Sequence, residues 1–177
     1  TGGGIDCSAS ESDPTPFVAL VDVVFRNNEV NDSEGFSSAV GGGFFSEGCQ
    51  SDLENVTFDG NRAISSGQSA GGGLLITGED IPTIVTLTNV TFFGNSAGLG
   101  GGLAVVENAT GPLTVTLTNL TFAENVASGS GDHFFLESGS TRLGNVLFGP
   151  AAGGGCDGSG AGVLTLLGGN MDSDGSC

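Results

Sequence analysis

The sequence predicts an all-β fold, a single-domain right-handed parallel β-helix of about five to six coils. Three observations predict it. A hexapeptide with alternating apolar positions recurs five times at coil-length spacing. An Asn follows three residues beyond its final Phe in four copies, and a glycine tract leading into apolar residues follows each of the first four. A fixed period of this length is the signature of a solenoid, whose units bury their apolar face only by stacking on one another. The whole chain, 1–177, reads as one domain. Residues 1–16 form an N-terminal partial coil, 17–148 the repeat coils, and 149–177 a C-terminal partial coil.

The chain opens on Gly2-Gly-Gly-Ile5, in mid-coil, with no preceding hexapeptide. The hexapeptides are Leu20–Phe25, Leu53–Phe58, Leu87–Phe92, Leu117–Phe122 and Leu143–Phe148, spaced by 33, 34, 30 and 26 residues. In the third copy Leu87 points inward, Thr88 and Asn89 turn a corner, Val90 and Phe92 point inward again, and Thr91 points out. This is strand alternation broken by one bend. The Asn that follows is Asn28, Asn61, Asn95 or Asn125, with Ala151 in the fifth copy. An inward amide at a tight corner can bond its backbone and the Asn of the next coil, making a ladder along the axis. The glycine motif reads Gly41–Ser46, Gly71–Ile76, Gly100–Val105 (or one residue later) and Gly131–Leu136, where Asp132 and His133 replace two glycines. Its glycines suit positive φ or close approach between coils. The run Gly162–Gly168 closes the chain as a strand-like apolar segment.

Phe-x-x-Asn and Gly-Gly-x-[Ile/Leu/Val] repeats in this order resemble those of the polymorphic outer-membrane proteins and related autotransporter passenger domains. The resemblance runs from Gly2 to Phe148. It implies a β-helix displayed outside the cell, in adhesion or as surface structure. A C-terminal β-barrel translocator, which that family carries, is not expected within these 177 residues.

Composition narrows the function classes. Acidic residues number 20 and basic residues 3 (Arg26, Arg62 and Arg142), giving a net charge of −17 with no lysine. Nothing neutralises phosphates, so nucleic acid is not an expected partner. Docking on an anionic membrane is disfavoured for the same reason. No apolar run reaches the ~20 residues needed to span a bilayer, so membrane insertion is not expected. The start at Thr1, without a visible signal peptide, reads as a processed chain or a fragment. The four cysteines lack CxxC spacing, which argues against zinc. Four cysteines allow three connectivities. Two lie near each end, and the pairing taken here is Cys7–Cys49 and Cys156–Cys177. Disulfides imply an oxidising compartment, and the expected location is extracellular or cell-surface.

N-x-Ser/Thr sequons stand at Asn31, Asn55, Asn89, Asn108 and Asn119. They read as N-glycan acceptors, although Asn-x-Thr-Phe is also plain repeat consensus. Stacked at about 4.8 Å, adjacent corner asparagines would crowd their glycans. Thr57, Thr91 and Thr121 are expected to form one outward column, and Thr88 and Thr118 another, the kind of array an ice-binding β-helix uses. Catalysis is not expected and no catalytic residues are assigned. Arg26 and Arg62 line up with no Asp cluster as a lyase would need. Asp132 and Glu137 are unmarked as a hydrolase pair, and the lone His133 reads as filling a glycine position. No metal site is assigned. Asp172-Ser-Asp-Gly-Ser176 resembles only the start of a calcium loop, so calcium is the one ion the chain could take, and no other cofactor is expected. Both ends look like partial coils, and solenoid ends need caps or partners. The expected function is a non-enzymatic, glycosylated structural protein that stacks on itself end to end as a fibril. The alternatives are a glycan- or cell-binding adhesin, an ice-binding protein, and a polysaccharide lyase or hydrolase.

Overall fold

A computed structural model of the chain describes residues 2–9, 16–32, 38–107 and 110–177. They build a parallel β-solenoid with three faces and no helix. Among the described residues, then, no helix is long and apolar enough to cross a membrane. The first face stacks Ile5–Ser8, Phe44–Glu47, Leu74–Gly78, Leu103–Glu107, Phe134–Leu136 and Cys156–Asp157. The second stacks Phe17–Val21, Gln50–Glu54, Thr83–Thr88, Leu113–Ala123, Ser140–Phe148 and Val163–Gly168, each continuing past a bend. The third has four main ranks, Glu29–Asp32, Arg62–Ser65, Ser96–Leu99 and Val126–Ser130.

About four turns are therefore complete on all three faces, slightly fewer than the five to six coils the repeat count predicts. The cause lies after Phe148. The chain there runs Gly149-Pro-Ala-Ala-Gly-Gly-Gly155 and makes no third-face strand. Proline lacks the N–H a ladder requires, and glycines have no side chain to pack.

The hexapeptide leucines set the register of the second face. Leu20, Leu53, Leu87, Leu117 and Leu143 stand over one another, and Leu166 continues the column as a sixth rank. Leu53, Leu87 and Leu117 are fully buried. Behind them Phe25, Phe58, Phe92, Phe122 and Phe148 stack with centroids 4.8–5.1 Å apart and ring planes within 11°. The first face contributes Phe44, Leu74, Leu103 and Phe134 to the same core. Each such side chain stabilises the fold by about 1.5–3 kcal/mol when taken from water.

Glycines fix the entry to the first face. Gly41, Gly71, Gly100 and Gly131 align and all have φ between 56° and 69°, a region open to glycine without steric cost. This places Gly100, not Gly101, at the head of the third tract.

Candidate functional site

The corners between strands carry the polar chemistry of this molecule, in two asparagine ladders. The first is internal. Asn61, Asn95 and Asn125 are at most 2% exposed, and Asn28 at the end is half-buried. The Oδ1 of Asn61, Asn95 and Asn125 each accepts two bonds from the asparagine one coil below, from its backbone N–H and its Nδ2–H, at 2.9–3.1 Å. The second Nδ2–H of Asn61, Asn95 and Asn125 donates to the carbonyl of Phe25, Phe58 or Phe92 at 2.9–3.0 Å. That carbonyl belongs to the coil below, whereas the sequence pointed to a bond within the residue's own coil. Every hydrogen-bonding capacity of these buried amides is thus used.

The ladder ends at His133. Ala151 supplies no amide to the fifth coil, and the imidazole occupies the space, buried and tilted against Phe122. Its Nε2 lies 2.9 Å from the Gly149 carbonyl, and its Nδ1 3.4 Å from Asn125 Nδ2. Nε2 therefore carries the proton and Nδ1 accepts, the tautomer this pair of partners requires. His133 does stand at a glycine rank, in register after Gly102, and it caps a column there.

The second ladder is external, and sequence reasoning did not find it. It joins the third residues of the hexapeptides: Asp22, Asn55, Asn89, Asn119 and Asn145. All have φ between 55° and 59°, the left-handed region that Asn and Asp tolerate better than other side chains. The Nδ2 of each asparagine donates to the side-chain oxygen of the coil below, at 2.6–3.1 Å across separations of 33, 34, 30 and 26 residues. The signal was present in the sequence as an invariant Asx at the third position. It marks a corner column, and the hydrogen bonds along that column are what the pattern does not spell out.

Three predicted glycan acceptors, Asn55, Asn89 and Asn119, belong to this external ladder and are exposed. The ladder engages one Nδ2 proton of each and leaves the other. Adjacent coils are only about 4.8 Å apart, closer than a substituted pyranose ring is wide. Asn31 is exposed on the third face, with Nδ2 3.1 Å from Glu29 Oε1. Asn108 lies outside the described residues.

Several of the remaining candidates have structural partners. Arg26 Nε reaches Asp59 Oδ2 at 2.7 Å, and Arg62 lies 3.8 Å from Glu29, both between neighbouring coils at the surface. Such exposed pairs contribute little stability. Asp132 is buried, and its two carboxylate oxygens accept the backbone N–H groups of Ala127 and Gly153 at 2.8 and 2.7 Å. In the C-terminal loop, Asp172 accepts from the amides of Asp174 and Cys177, and Asp174 from those of Ser176 and Ala151. These carboxylates close a turn on their own backbone. The Ser176 hydroxyl and the Ala151 N–H hold the Asp174 carboxyl at about 2, below its ordinary value. No group of three or more metal-ligating side chains converges among the described residues. Thr57, Thr91 and Thr121 do align outward, as do Thr88 and Thr118. Val24 and Leu147 end the first of these columns.

Both disulfides join neighbouring coils at the ends. Cys7–Cys49 has its Cα atoms 6.2 Å apart and Cys156–Cys177 has them 4.7 Å apart. The end ranks themselves are apolar and uncovered. Phe17, Val21 and Val24 are exposed on the first rank of the second face, and Val163, Leu164, Leu166, Leu167 and Met171 on the last. Leu166 is 63% exposed, whereas Leu143 directly beneath it is 2% exposed.

No family model matches the chain, and no curated protein or solved structure matches it either.

Proposed function

We propose that this chain is a non-enzymatic, extracellular structural protein whose copies stack head to tail into a glycosylated fibril. One observation carries the reading. The inward columns arrive at both ends in the same register. The last rank offers Leu164 and Leu166 where each lower rank has its inward pair, and the first rank offers Val18 and Leu20. Laying the first rank of one copy on the last rank of another continues the leucine column and pairs two unsatisfied sheet edges. It also buries the exposed Leu164 and Leu166. A head-to-tail contact of this kind does not close and so propagates as a fibre. The disulfides fit an oxidising environment, and the resemblance to surface-displayed β-helices supports the same location. Glycans on the external asparagine ladder fit alternate coils, Asn55 with Asn119, where the spacing doubles to about 10 Å.

Sedimentation velocity and negative-stain microscopy on the concentrated protein test the assembly. Fibres are expected from the wild type, and from Leu166→Glu only single solenoids with an unchanged circular dichroism spectrum. A wild type that stays monomeric at high concentration, or a Leu166→Glu variant that polymerises normally, would rule the reading out.

A further inference from the structure

A groove runs along the flank of the solenoid, away from both ladders. It lies where the outward side chains of the first face meet the short strands Ala39–Val40 and Ser69–Ala70 at the edge of the third. It encloses about 430 Å³. Leu75, Leu99 and Val106 are among its apolar lining residues. One outward column of the first face crosses it. Glu47, Thr77 and Val106 stand in register on successive coils, and Glu137 follows, its N–H bonded to the Val105 carbonyl. Glu47, Thr77, Val106 and Glu137 all line the groove. The column therefore presents a carboxylate at each end, separated by three coil steps, or about 14 Å.

Two features of this column are left unbalanced among the described residues. Thr77 is 2% exposed, faces outward into the groove wall, and its Oγ1 has no hydrogen-bond partner. A buried polar atom in that state is normally satisfied by something. The second feature is charge. Burial, then repulsion from Glu79 and Asp6, raise the Glu47 carboxyl above its ordinary value against a single opposing bond from Ser8. Among the described residues no arginine answers it. Arg26 and Arg62 pair with Asp59 and Glu29, and Arg142 projects from the second face.

We propose that the groove binds a linear aliphatic polyammonium ion of spermine-like length, laid along the solenoid axis. Its terminal ammonium groups meet Glu47 and Glu137, and its methylenes cover Leu75 and Leu99. Thr77 stands one coil from Glu47, about 4.8 Å away. Two amines separated by three extended methylenes are about 5 Å apart from standard bond lengths. An internal ammonium thus lies level with Thr77 while the terminal ammonium sits on Glu47. A hard divalent metal ion does not fit, because it requires oxygens converging on one point. An extended basic peptide fits less well, because it would set backbone N–H and C=O groups against an apolar wall. A second copy of the chain has no lysine to offer.

Titration calorimetry of the intact protein with spermine at low salt tests this. One saturable site per chain is expected. Its affinity should fall about tenfold or more in Glu47→Gln/Glu137→Gln, and severalfold in Thr77→Val. Diaminopropane, which cannot span the two carboxylates, should bind about tenfold more weakly than spermine. The control Asp52→Asn/Glu54→Gln removes the same charge from the exposed second face and should leave binding unchanged. Equal losses in the control and groove variants would reduce the effect to counterion attraction and overturn the proposal. So would wild-type affinity in the groove double variant, or tighter binding by a Lys-x-x-x-Lys peptide than by spermine.

Discussion

Asn61, Asn95 and Asn125 each bring a whole amide into an apolar interior, and each is satisfied only because identical residues lie one coil away. Removing one leaves its neighbours' donors and acceptors unpaired in a site water does not reach. Asn95→Ala strips partners from the Asn61 backbone N–H, Asn61 Nδ2, Asn125 Oδ1 and the Phe58 carbonyl. It is expected to cost about 3 kcal/mol in urea unfolding, against about 1 kcal/mol for Asn28→Ala at the half-buried end. Asp174 gives a pH dependence of definite sign. Its folded pKa, about 2, lies below the ordinary 3.8. The stabilisation it provides is therefore full above the ordinary value and disappears as pH falls towards 2. Amide resonances of Ala151 and Ser176 should shift over that window, and Asp174→Asn should abolish the shift. The internal ladder was legible because Phe-x-x-Asn recurs. Its ending was not, because a histidine from the glycine motif fills a gap left by Ala151.

At the scale of the strand, register follows from side-chain pattern. The recurring Leu, Asx and Phe leave one alignment in which every apolar column is continuous, and a one-residue slip would turn each outward. Hence five ranks of the second face could be read directly from spacing. The sixth, Val163–Gly168, could not be placed as a rank, because its corner carries Gly169 and its Phe position carries Asp172. The flank groove was equally hidden. It depends on residues of two faces joined by connections of unequal length, which no periodicity encodes. The glycine tracts report close packing rather than flexibility. A Cβ on Gly73 would stand 2.7 Å from the Gly102 carbonyl oxygen and 2.9 Å from the Phe92 ring. Neither backbone nor stacked ring can yield without shifting its own coil. Gly73→Ala is expected to destabilise by about 1–3 kcal/mol in thermal or urea melts. Gly94→Ala should cost less by the same assay, since nothing lies within 4 Å and only its φ of 63° is strained.

Over the whole molecule, the same contacts that join coil to coil join copy to copy in the proposed fibril. The net charge of −17 keeps the flanks apart and leaves the two apolar end ranks as the favoured place of contact. Strands then lie across the fibre axis throughout, and the coil spacing runs through each junction without a break. X-ray fibre diffraction from aligned, concentrated protein measures this most directly. The account predicts a strong reflection near 4.8 Å on the meridian, along the fibre axis. A reflection of that spacing on the equator, or unoriented rings from discrete particles, would contradict it.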